Sequence, residues 1–217
     1  IMEMIGISGG VCAAKGFRAN GIHCGIRKNK TKNDLSLIFS EKRAAVACVY
    51  TTNKVKGAPL VVTKKNVADG YAQAVICNSG NANTCNADGE EIAEKTCALL
   101  ADELHISARD VVGIEPFARG MRELVSGLGN KSREAAYGIM TTDTKVKEAA
   151  VEFEAGGKKC RIGGIAKGSG MIHPNMATML VFITTDCAVS PAMLQKALSG
   201  DVADTFNMVS VDGDTST

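Results

Sequence analysis

The sequence predicts a mixed fold, either α+β or layered α/β. Short apolar runs separated by Gly, Asn, Lys and Pro fill the first third of the chain and are typical of β-strands. Amphipathic helical patterns follow them, and a β-hairpin pattern and one more strand come near the end. Strands that are grouped, and do not alternate strictly with helices, favour these two fold classes.

Seven strands are predicted from runs of apolar and β-branched residues. They are residues 34–40, 45–50, 60–63, 73–77, 148–154, 158–162 and 179–185. The fifth and sixth alternate in polarity and flank Gly156-Gly157, which is typical of a β-hairpin. The fourth is followed at once by the polar run 78–83, N-S-G-N-A-N. Two interpretations of this run are open: a ligand-binding loop, or a tight turn that leads into a helix.

Four helices are predicted from apolar spacing and capping residues. The first spans residues 88–105 and the second residues 116–128. The third begins at Asn130 and the fourth at Ser190. In the first, Asp88 is the expected N-cap, with Glu91 three positions later. In the last, Ser190 is a capping residue and Pro191 stands in the first turn.

Composition excludes several classes of protein. The chain has 217 residues, a net charge of +2 and 4% aromatic residues, so neither nucleic acid nor a membrane is an expected partner. Its 45% hydrophobic and 22% charged residues are typical of a globular protein with one large domain or two small ones. No signal peptide or membrane-spanning run stands out, and we therefore expect a cytoplasmic protein.

The eight cysteines are scattered, and none forms a C-x-x-C pair. This pattern does not favour a zinc site or a thioredoxin-like redox motif. Several cysteines lie in apolar runs, where cysteine behaves as a small hydrophobic residue. The sequence therefore predicts buried free thiols in a reducing compartment and no metal site.

One glycine-rich segment, residues 163–180, has the composition of a functional loop. A phosphate-binding Walker loop is excluded, because Ala166 precedes Lys167 and Gly168 follows it, whereas that motif needs Gly and then Ser or Thr. Two interpretations are open. The segment is a plain connection between strands, or it carries chemistry at Ala177-Thr178. A threonine hydroxyl there can attack the preceding carbonyl, and the α-amino group of the new N-terminus then serves as a base.

Residues 167–180, K-G-S-G-M-I-H-P-N-M-A-T-M-L, closely resemble the self-cleavage region of the ornithine acetyltransferase family. Members of this family are glutamate N-acetyltransferases of arginine biosynthesis. Further segments resemble the family's other motifs, in the family's order. They are residues 9–17, 49–59, 78–83, 139–144 and 211–217. Because these motifs span nearly the whole chain, the resemblance is highly specific.

The resemblance implies an N-terminal-nucleophile-like, self-cleaving fold with β-sheets packed against helices. It also implies two pieces: an α piece, residues 1–177, that forms one catalytic domain, and the start of a β piece, residues 178–217, truncated relative to the family. Family members move an acetyl group from N2-acetylornithine to glutamate, and some also use acetyl-CoA as a substrate. We expect no cofactor, and a heterotetramer of two α and two β pieces.

The resemblance also assigns site residues. Thr178 is the nucleophile, and self-cleavage falls between Ala177 and Thr178. Lys167 and Thr144 contact the amino-acid substrate, and Lys167 provides a cation for its carboxylate. Without the resemblance, a solvated surface lysine and a turn residue are equally good interpretations of these two. His173 is the weaker candidate for a general base, because the free amino group of Thr178 already supplies one.

The sequence departs from the family at one place that matters for catalysis. The family's Ser-Thr-Gly segment, which supplies the oxyanion hole, has no match between Arg109 and Phe117, where about ten residues are absent. The oxyanion donors are therefore unknown. Two other functions stay open. One is an aminopeptidase or amidohydrolase that uses the same threonine with water as acceptor, and the other is an inactive, uncleaved relative that only binds ligands or partner subunits.

Overall fold

Two four-stranded sheets face each other in the computed structural model, which describes residues 3–114, 120–172 and 179–213. The strands are β1 (Met4–Ile7), β2 (Phe17–Ile22), β3 (Leu35–Ala45), β4 (Tyr71–Asn78), β5 (Val111–Ile114), β6 (Lys147–Ala155), β7 (Lys158–Lys167) and β8 (Leu180–Thr185). The first sheet has the order β2-β3-β4-β5 and the second β1-β6-β7-β8. Neighbouring strands are antiparallel, except that β4 and β5 are parallel.

Helices cover the first sheet and fill one edge of the space between the sheets. They are α1 (Ala58–Asn66), α2 (Gly89–Leu104), α3 (Met121–Ser126), α4 (Ser132–Ile139) and α5 (Pro191–Asp204). Helices α1, α2 and α3 pack on the outer face of the first sheet, whereas α4 contacts strands of both sheets. The structure therefore has the predicted mixed fold, with two sheets packed against helices.

Strand β4 separates two apolar cores. Ala74 and Ile76 point to the core beneath α1–α3, and Val75 and Cys77 point to the core between the sheets. This is the alternation expected of a strand that is covered on both faces. Ile165 of β7 meets the second core from the opposite sheet, so the second core is closed by residues that are far apart in sequence.

Most of the strand predictions are confirmed. Residues 34–40 and 73–77 fall almost entirely within β3 and β4, the hairpin at Gly156-Gly157 joins β6 to β7, and residues 179–185 contain β8. The hairpin is the most accurate of these, because its two alternating runs and its turn glycines specify both the register and the reversal of direction.

The predicted strand 45–50 is wrong. Strand β3 ends at Ala45, where its last pairing partner is Tyr71, the first residue of β4. Val46 N makes one more backbone hydrogen bond, to Gly70 O at 2.9 Å, and then Gln195 of α5 accepts a hydrogen bond from Cys48 N at 3.1 Å and donates one to Cys48 O at 3.1 Å. Since no neighbouring strand remains, an apolar run alone does not form a strand here.

The predicted strand 60–63 is also wrong, because these residues form the middle of helix α1. A four-residue apolar run has no periodicity that separates a strand from a buried helix. The informative residue was Pro59, which stands in the first turn of the helix, where proline is favoured. Val62 and Thr63 then bury one face of α1.

The helix predictions at residues 88–105 and at Ser190 are confirmed by α2 and α5. Ser190 Oγ accepts the expected capping hydrogen bond from Met193 N. Asp88 is the N-cap residue of α2, as predicted, but its side chain accepts no capping hydrogen bond, and Glu91 forms an ion pair with Lys95. The predicted helix 116–128 is shorter, since α3 covers Met121–Ser126, and residues 115–119 lie outside the described residues.

The sequence analysis did not predict three of the strands: β1, β2 and β5. Strand β2 is the instructive one, because its buried residues Ala19, Asn20 and Gly21 are small or polar. Helix α4 lies so close that a Cβ on Gly21 would come within 1.9 Å of the carbonyl oxygen of Glu134. Asn20 is satisfied by donating to Leu124 O at 2.9 Å. Because the backbones of β2 and α4 pack this closely, β2 has small and polar residues in place of the apolar run that usually marks a strand.

All eight cysteines are free thiols, as predicted, but they are not uniformly buried. Cys24, Cys77 and Cys97 are buried, and Cys85 is exposed. The remaining four are partly exposed. In the part of the chain that the structure describes, no helix has the length and apolar character needed to cross a membrane.

Candidate active site

The candidate site lies at the end of β7, whose last residue is Lys167. Because side chains alternate along a strand, Lys167 lies on the same face as Ile165, which belongs to the core between the sheets. Lys167 is only 8% exposed. Cys77, near the end of β4 in the facing sheet, lies close enough to Lys167 to influence its pKa.

The Lys167 side chain is largely buried, and its ammonium group has no partner within the described ranges. No residue there accepts a hydrogen bond from its Nζ or forms an ion pair with it. Burial lowers the pKa of Lys167, while Cys77 and Asp143 oppose that shift and Arg27 adds to it. A buried charge is costly unless it is paired. This arrangement therefore favours the binding of an anionic group beside Lys167.

Asp143 ties the loop before β6 to the backbone next to Lys167. Its side chain is fully buried, and its carboxylate accepts hydrogen bonds from Gly168 N at 2.9 Å and from Lys147 Nζ at 2.5 Å. Burial acts to raise the pKa of Asp143, but these two hydrogen bonds outweigh it, so the pKa lies below the ordinary value. Asp143 is therefore an anion that fixes the start of the loop after β7.

Arg27 joins two loops at the same edge of the structure. Its Nε donates to Ser79 O at 2.9 Å, and its Nη2 donates to Met140 O at 2.6 Å. Its backbone N–H donates to the buried carboxylate of Asp34 at 3.0 Å. The Arg27 guanidinium thus holds the loop after β4 against the loop after α4, and these are the two loops that flank Lys167.

The polar run at residues 78–83 is built as a turn. Asn78 Oδ1 accepts hydrogen bonds from Gly80 N at 3.1 Å and from Asn81 N at 3.2 Å. Asn83 Nδ2 donates to the carbonyl oxygen of Gly89, the first residue of α2, at 2.9 Å. These bonds confirm the turn that leads into a helix. The ligand-binding interpretation of the run stays a prediction.

The structure places two of the predicted substrate residues on neighbouring segments: Lys167 ends β7, and Thr144 lies on the loop before β6. Lys167 is buried, so the interpretation as a solvated surface lysine is wrong. Thr144 is exposed and immediately follows Asp143, whose carboxylate binds the residue after Lys167. Ala177, Thr178 and His173 fall in residues 173–178, outside the described residues. So does the stretch 115–119, where we expect the family's oxyanion segment to be absent.

The sequence analysis missed Asp143 and Arg27 as site residues. Asp143 lies inside the M-T-T-D-T motif, and an aspartate among threonines is a residue type that often builds loops. No comparable pattern surrounds Arg27, because its acceptors Ser79 and Met140 are 52 and 113 positions away. Across the described ranges, no three His, Cys, Asp or Glu side chains are grouped so as to hold a metal ion.

Replacing Asp143 with asparagine is expected to destabilise the protein by about 1–3 kcal/mol at pH 7, because the amide is a poorer acceptor for Gly168 N–H and Lys147 Nζ. The lowered pKa of Asp143 makes the wild type lose this stabilisation as pH falls below the ordinary aspartate value. Urea unfolding at pH 7 and at pH 3 measures both effects. A difference between wild type and variant that stays constant over this range would contradict the assignment.

Comparison with known proteins identifies the family of this chain. Residues 18–217 match the model of the ArgJ family. A relative named arginine biosynthesis bifunctional protein ArgJ, from Caldanaerobacter subterraneus subsp. tengcongensis, is 43% identical over 224 residues. That alignment covers 97% of this chain and 55% of the relative. The chain therefore spans about half the length of the curated relatives it matches.

Two solved structures are similar in both fold and sequence. The crystal structure of arginine biosynthesis bifunctional protein ArgJ from Bacillus halodurans superposes with a TM-score of 0.75 at 37% identity, covering 81% of this chain and 99% of that one. Ornithine acetyltransferase complexed with ornithine, from Mycobacterium tuberculosis, gives a TM-score of 0.71 at 30% identity, covering 82% and 100%. On the family match and these similarities, the chain belongs to the ArgJ family.

Proposed function

We propose that the protein transfers an acetyl group from N2-acetylornithine to glutamate in arginine biosynthesis, through an acetyl-threonine intermediate on Thr178. The observation that carries this proposal is the largely buried Lys167, whose ammonium has no partner among the described residues and whose neighbours Cys77, Asp143 and Arg27 come from segments distant in sequence. Lys167 pairs in register with Leu180, the second residue after Thr178 in the sequence. This register supports the proposal, because Leu180 lies beside Lys167 and follows Thr178 closely in the sequence.

Self-cleavage would generate the nucleophile. The Thr178 hydroxyl attacks the carbonyl carbon of Ala177, and the peptide bond becomes an ester as the nitrogen takes up a proton. Water then hydrolyses the ester, which frees the carboxylate of Ala177 and the α-amino group of Thr178. An α-amino group has an ordinary pKa of about 7.7–8.0, so it can accept the hydroxyl proton near neutral pH.

Acetyl transfer then follows in two half-reactions. The Thr178 oxygen attacks the acetyl carbonyl of N2-acetylornithine, and the α-amino group of ornithine leaves with the proton. The amino group of glutamate next attacks the acetyl ester, and the Thr178 hydroxyl is restored. Both substrates carry an α-carboxylate, and we assign it to Lys167 because a charge-assisted hydrogen bond would pair the buried ammonium. Thr144, on the adjoining loop, is the second substrate contact.

Chain lengths support a cut near residue 177. The two ArgJ-like solved chains are covered almost completely, yet they match only 81% and 82% of this chain. Of 217 residues, 81% is about 176, close to the length of the segment before Thr178. The curated relatives are about twice as long as this chain. Solved chains of that size are expected if such relatives divide into an α and a β piece.

A second candidate is an uncleaved, inactive relative. The absence of a Ser-Thr-Gly triplet after Arg109 favours it, since oxyanion donors are usually a large part of catalysis. The 224-position alignment contains 97% of this chain, or about 210 residues, so about 14 positions have no residue here. Because Ile114 pairs in parallel with Cys77, the segment after β5 starts beside the end of β4. We therefore expect replacement oxyanion donors, if present, from that segment.

Assembly and location follow from the same proposal. We propose that the α piece, residues 1–177, and a β piece beginning at residue 178 remain associated as a heterotetramer in the cytoplasm. Acetyl-CoA would be an additional acetyl donor in a bifunctional enzyme, the description that the relative from C. subterraneus carries in its name. An N-terminal-nucleophile amidohydrolase remains the alternative in which water takes the place of glutamate.

One experiment separates these functions. The purified, denatured protein is weighed by intact mass spectrometry, and the native protein is incubated with N2-acetylornithine with and without glutamate. We expect two pieces that meet at Ala177/Thr178, and N-acetylglutamate formed in step with ornithine. Acetate release that does not depend on glutamate would indicate the hydrolase. A single intact mass together with no reaction would support the inactive relative.

A further inference from the structure

Cys160 lies on β7, and Cys187 follows the end of the neighbouring strand β8. Strands β7 and β8 are antiparallel, with Ile162 opposite Thr185. The pairing continues one step further, because Asp186 N donates to Arg161 O at 3.3 Å and Arg161 N donates to Asp186 Oδ1 at 2.7 Å. Cys160 and Cys187 directly flank this Arg161–Asp186 contact, and Cys187 lies two residues beyond the end of β8. The two thiols lie close enough for Cys187 to influence the pKa of Cys160.

The position in the ladder suits a covalent link. One backbone hydrogen bond joins Arg161 and Asp186, and the flanking residues Cys160 and Cys187 would form a non-hydrogen-bonded pair if the ladder continued by one step. The Cα atoms of such a pair are about 4.5 Å apart, which lies within the range that disulfides span. Both cysteines are partly exposed, so a small oxidant can reach them. The neighbouring Cys187 thiol raises the pKa of Cys160.

These two cysteines also lie on opposite sides of the proposed cut. Cys160 is in residues 1–177, and Cys187 is in the piece that begins at Thr178. We propose that Cys160 and Cys187 form a reversible disulfide that joins the α and β pieces covalently after self-cleavage. The joining role rests on the proposed function, whereas the disulfide itself does not.

A low-molecular-weight disulfide is the oxidant. The thiolate of one cysteine attacks a sulfur of that disulfide, forming a mixed disulfide and releasing one small thiol. The second cysteine sulfur attacks the protein sulfur of the mixed disulfide and releases the second small thiol. The two protons of the cysteines end on the two released thiols, and the oxidant takes up two electrons. A reducing thiol reverses both steps.

The test exposes the purified full chain to oxidised glutathione, blocks the remaining thiols with an alkylating reagent under denaturing conditions, and measures intact mass and linked peptides. We expect a loss of two hydrogen atoms and a peptide that links Cys160 to Cys187. The two cut pieces should migrate together without reductant and separate with it. Cys85→Ser, which removes a different exposed thiol, should still form the link, whereas Cys160→Ser and Cys187→Ser should not.

The outcomes separate the disulfide from the proposed function. A glutathione adduct retained on either cysteine, or a link between other cysteines, would overturn the disulfide. A linked but uncut chain would retain the disulfide and overturn the joining of two pieces together with self-cleavage. A cut protein whose pieces separate without reductant after oxidation would overturn the inference while leaving the acetyltransferase proposal intact.

Discussion

The Thr178→Ala variant is expected to remain a single chain and to lose acetyl transfer by at least about 10³-fold. Without the hydroxyl, neither the attack on the carbonyl of Ala177 nor the formation of an acetyl ester can occur. Without cleavage, no free α-amino group is available as a base. Intact mass of the denatured variant and the rate of N-acetylglutamate formation measure the two effects separately.

Thr178→Ser is the matched control, since it keeps the hydroxyl and removes only a methyl group. We expect this variant to be cut and to retain acetyl transfer. If Thr178→Ala were cut at the same place, the cleavage would come from another nucleophile or from a contaminating protease. If Thr178→Ala stayed whole but still transferred acetyl groups at the rate of the wild type, the acetyl-threonine intermediate would be refuted.

Replacing Lys167 with methionine is expected to lower kcat/KM for both N2-acetylornithine and glutamate by about 10- to 100-fold. A hydrogen bond between an ammonium and a carboxylate contributes about 1.5–3 kcal/mol, and each 1.4 kcal/mol corresponds to about tenfold. Because both substrates present the same carboxylate, both should be affected alike. Steady-state kinetics with each substrate varied in turn measures this loss, which should appear mainly in KM.

The same substitution is expected to leave the protein equally stable or more stable. The lowered pKa of Lys167 means that its proton is held less tightly in the folded protein than in the unfolded one. At neutral pH the buried charge therefore costs stability, and this cost fades as pH rises from the lowered pKa toward the ordinary lysine value. Methionine has a similar length and no charge, so thermal unfolding at pH 7 should show an unchanged or higher Tm.

Lys159→Met is the matched control for Lys167→Met. Lys159 lies on the same strand, β7, but its side chain is 78% exposed and forms an ion pair with Glu152. Its replacement should leave kcat/KM for both substrates near the wild-type value. Equal losses of activity in the two variants would show that a general effect on β7, and not the substrate carboxylate, explains the result at Lys167.

Where the sequence analysis of the fold failed, pairing partners decided the outcome. Residues 45–50 and 60–63 have similar apolar runs, yet the first remains irregular beside α5 and the second is helical. Strand β2 lacks an apolar pattern because α4 approaches its backbone at Gly21. Local propensity is a weak prior for short segments, and tertiary contacts override it.

By itself, the sequence determined the mixed fold class, the β6–β7 hairpin and helices α2 and α5, while the roles of Thr178, Lys167 and Thr144 that its family resemblance implies stay predictions. These features depend on local periodicity, turn residues or motifs that are read along a few consecutive residues. The family match confirms the resemblance itself, because residues 18–217 match the ArgJ family model.

Only the tertiary structure decided that Lys167 is buried without a partner in the described ranges, that Arg27 joins the loops around it, and that Cys160 lies close to Cys187. The physical reason is distance along the chain. Burial and charge depend on which segments meet, and Arg27 meets Met140 across 113 positions. No local sequence pattern predicts such a contact, because it forms only when the two sheets pack against a shared core.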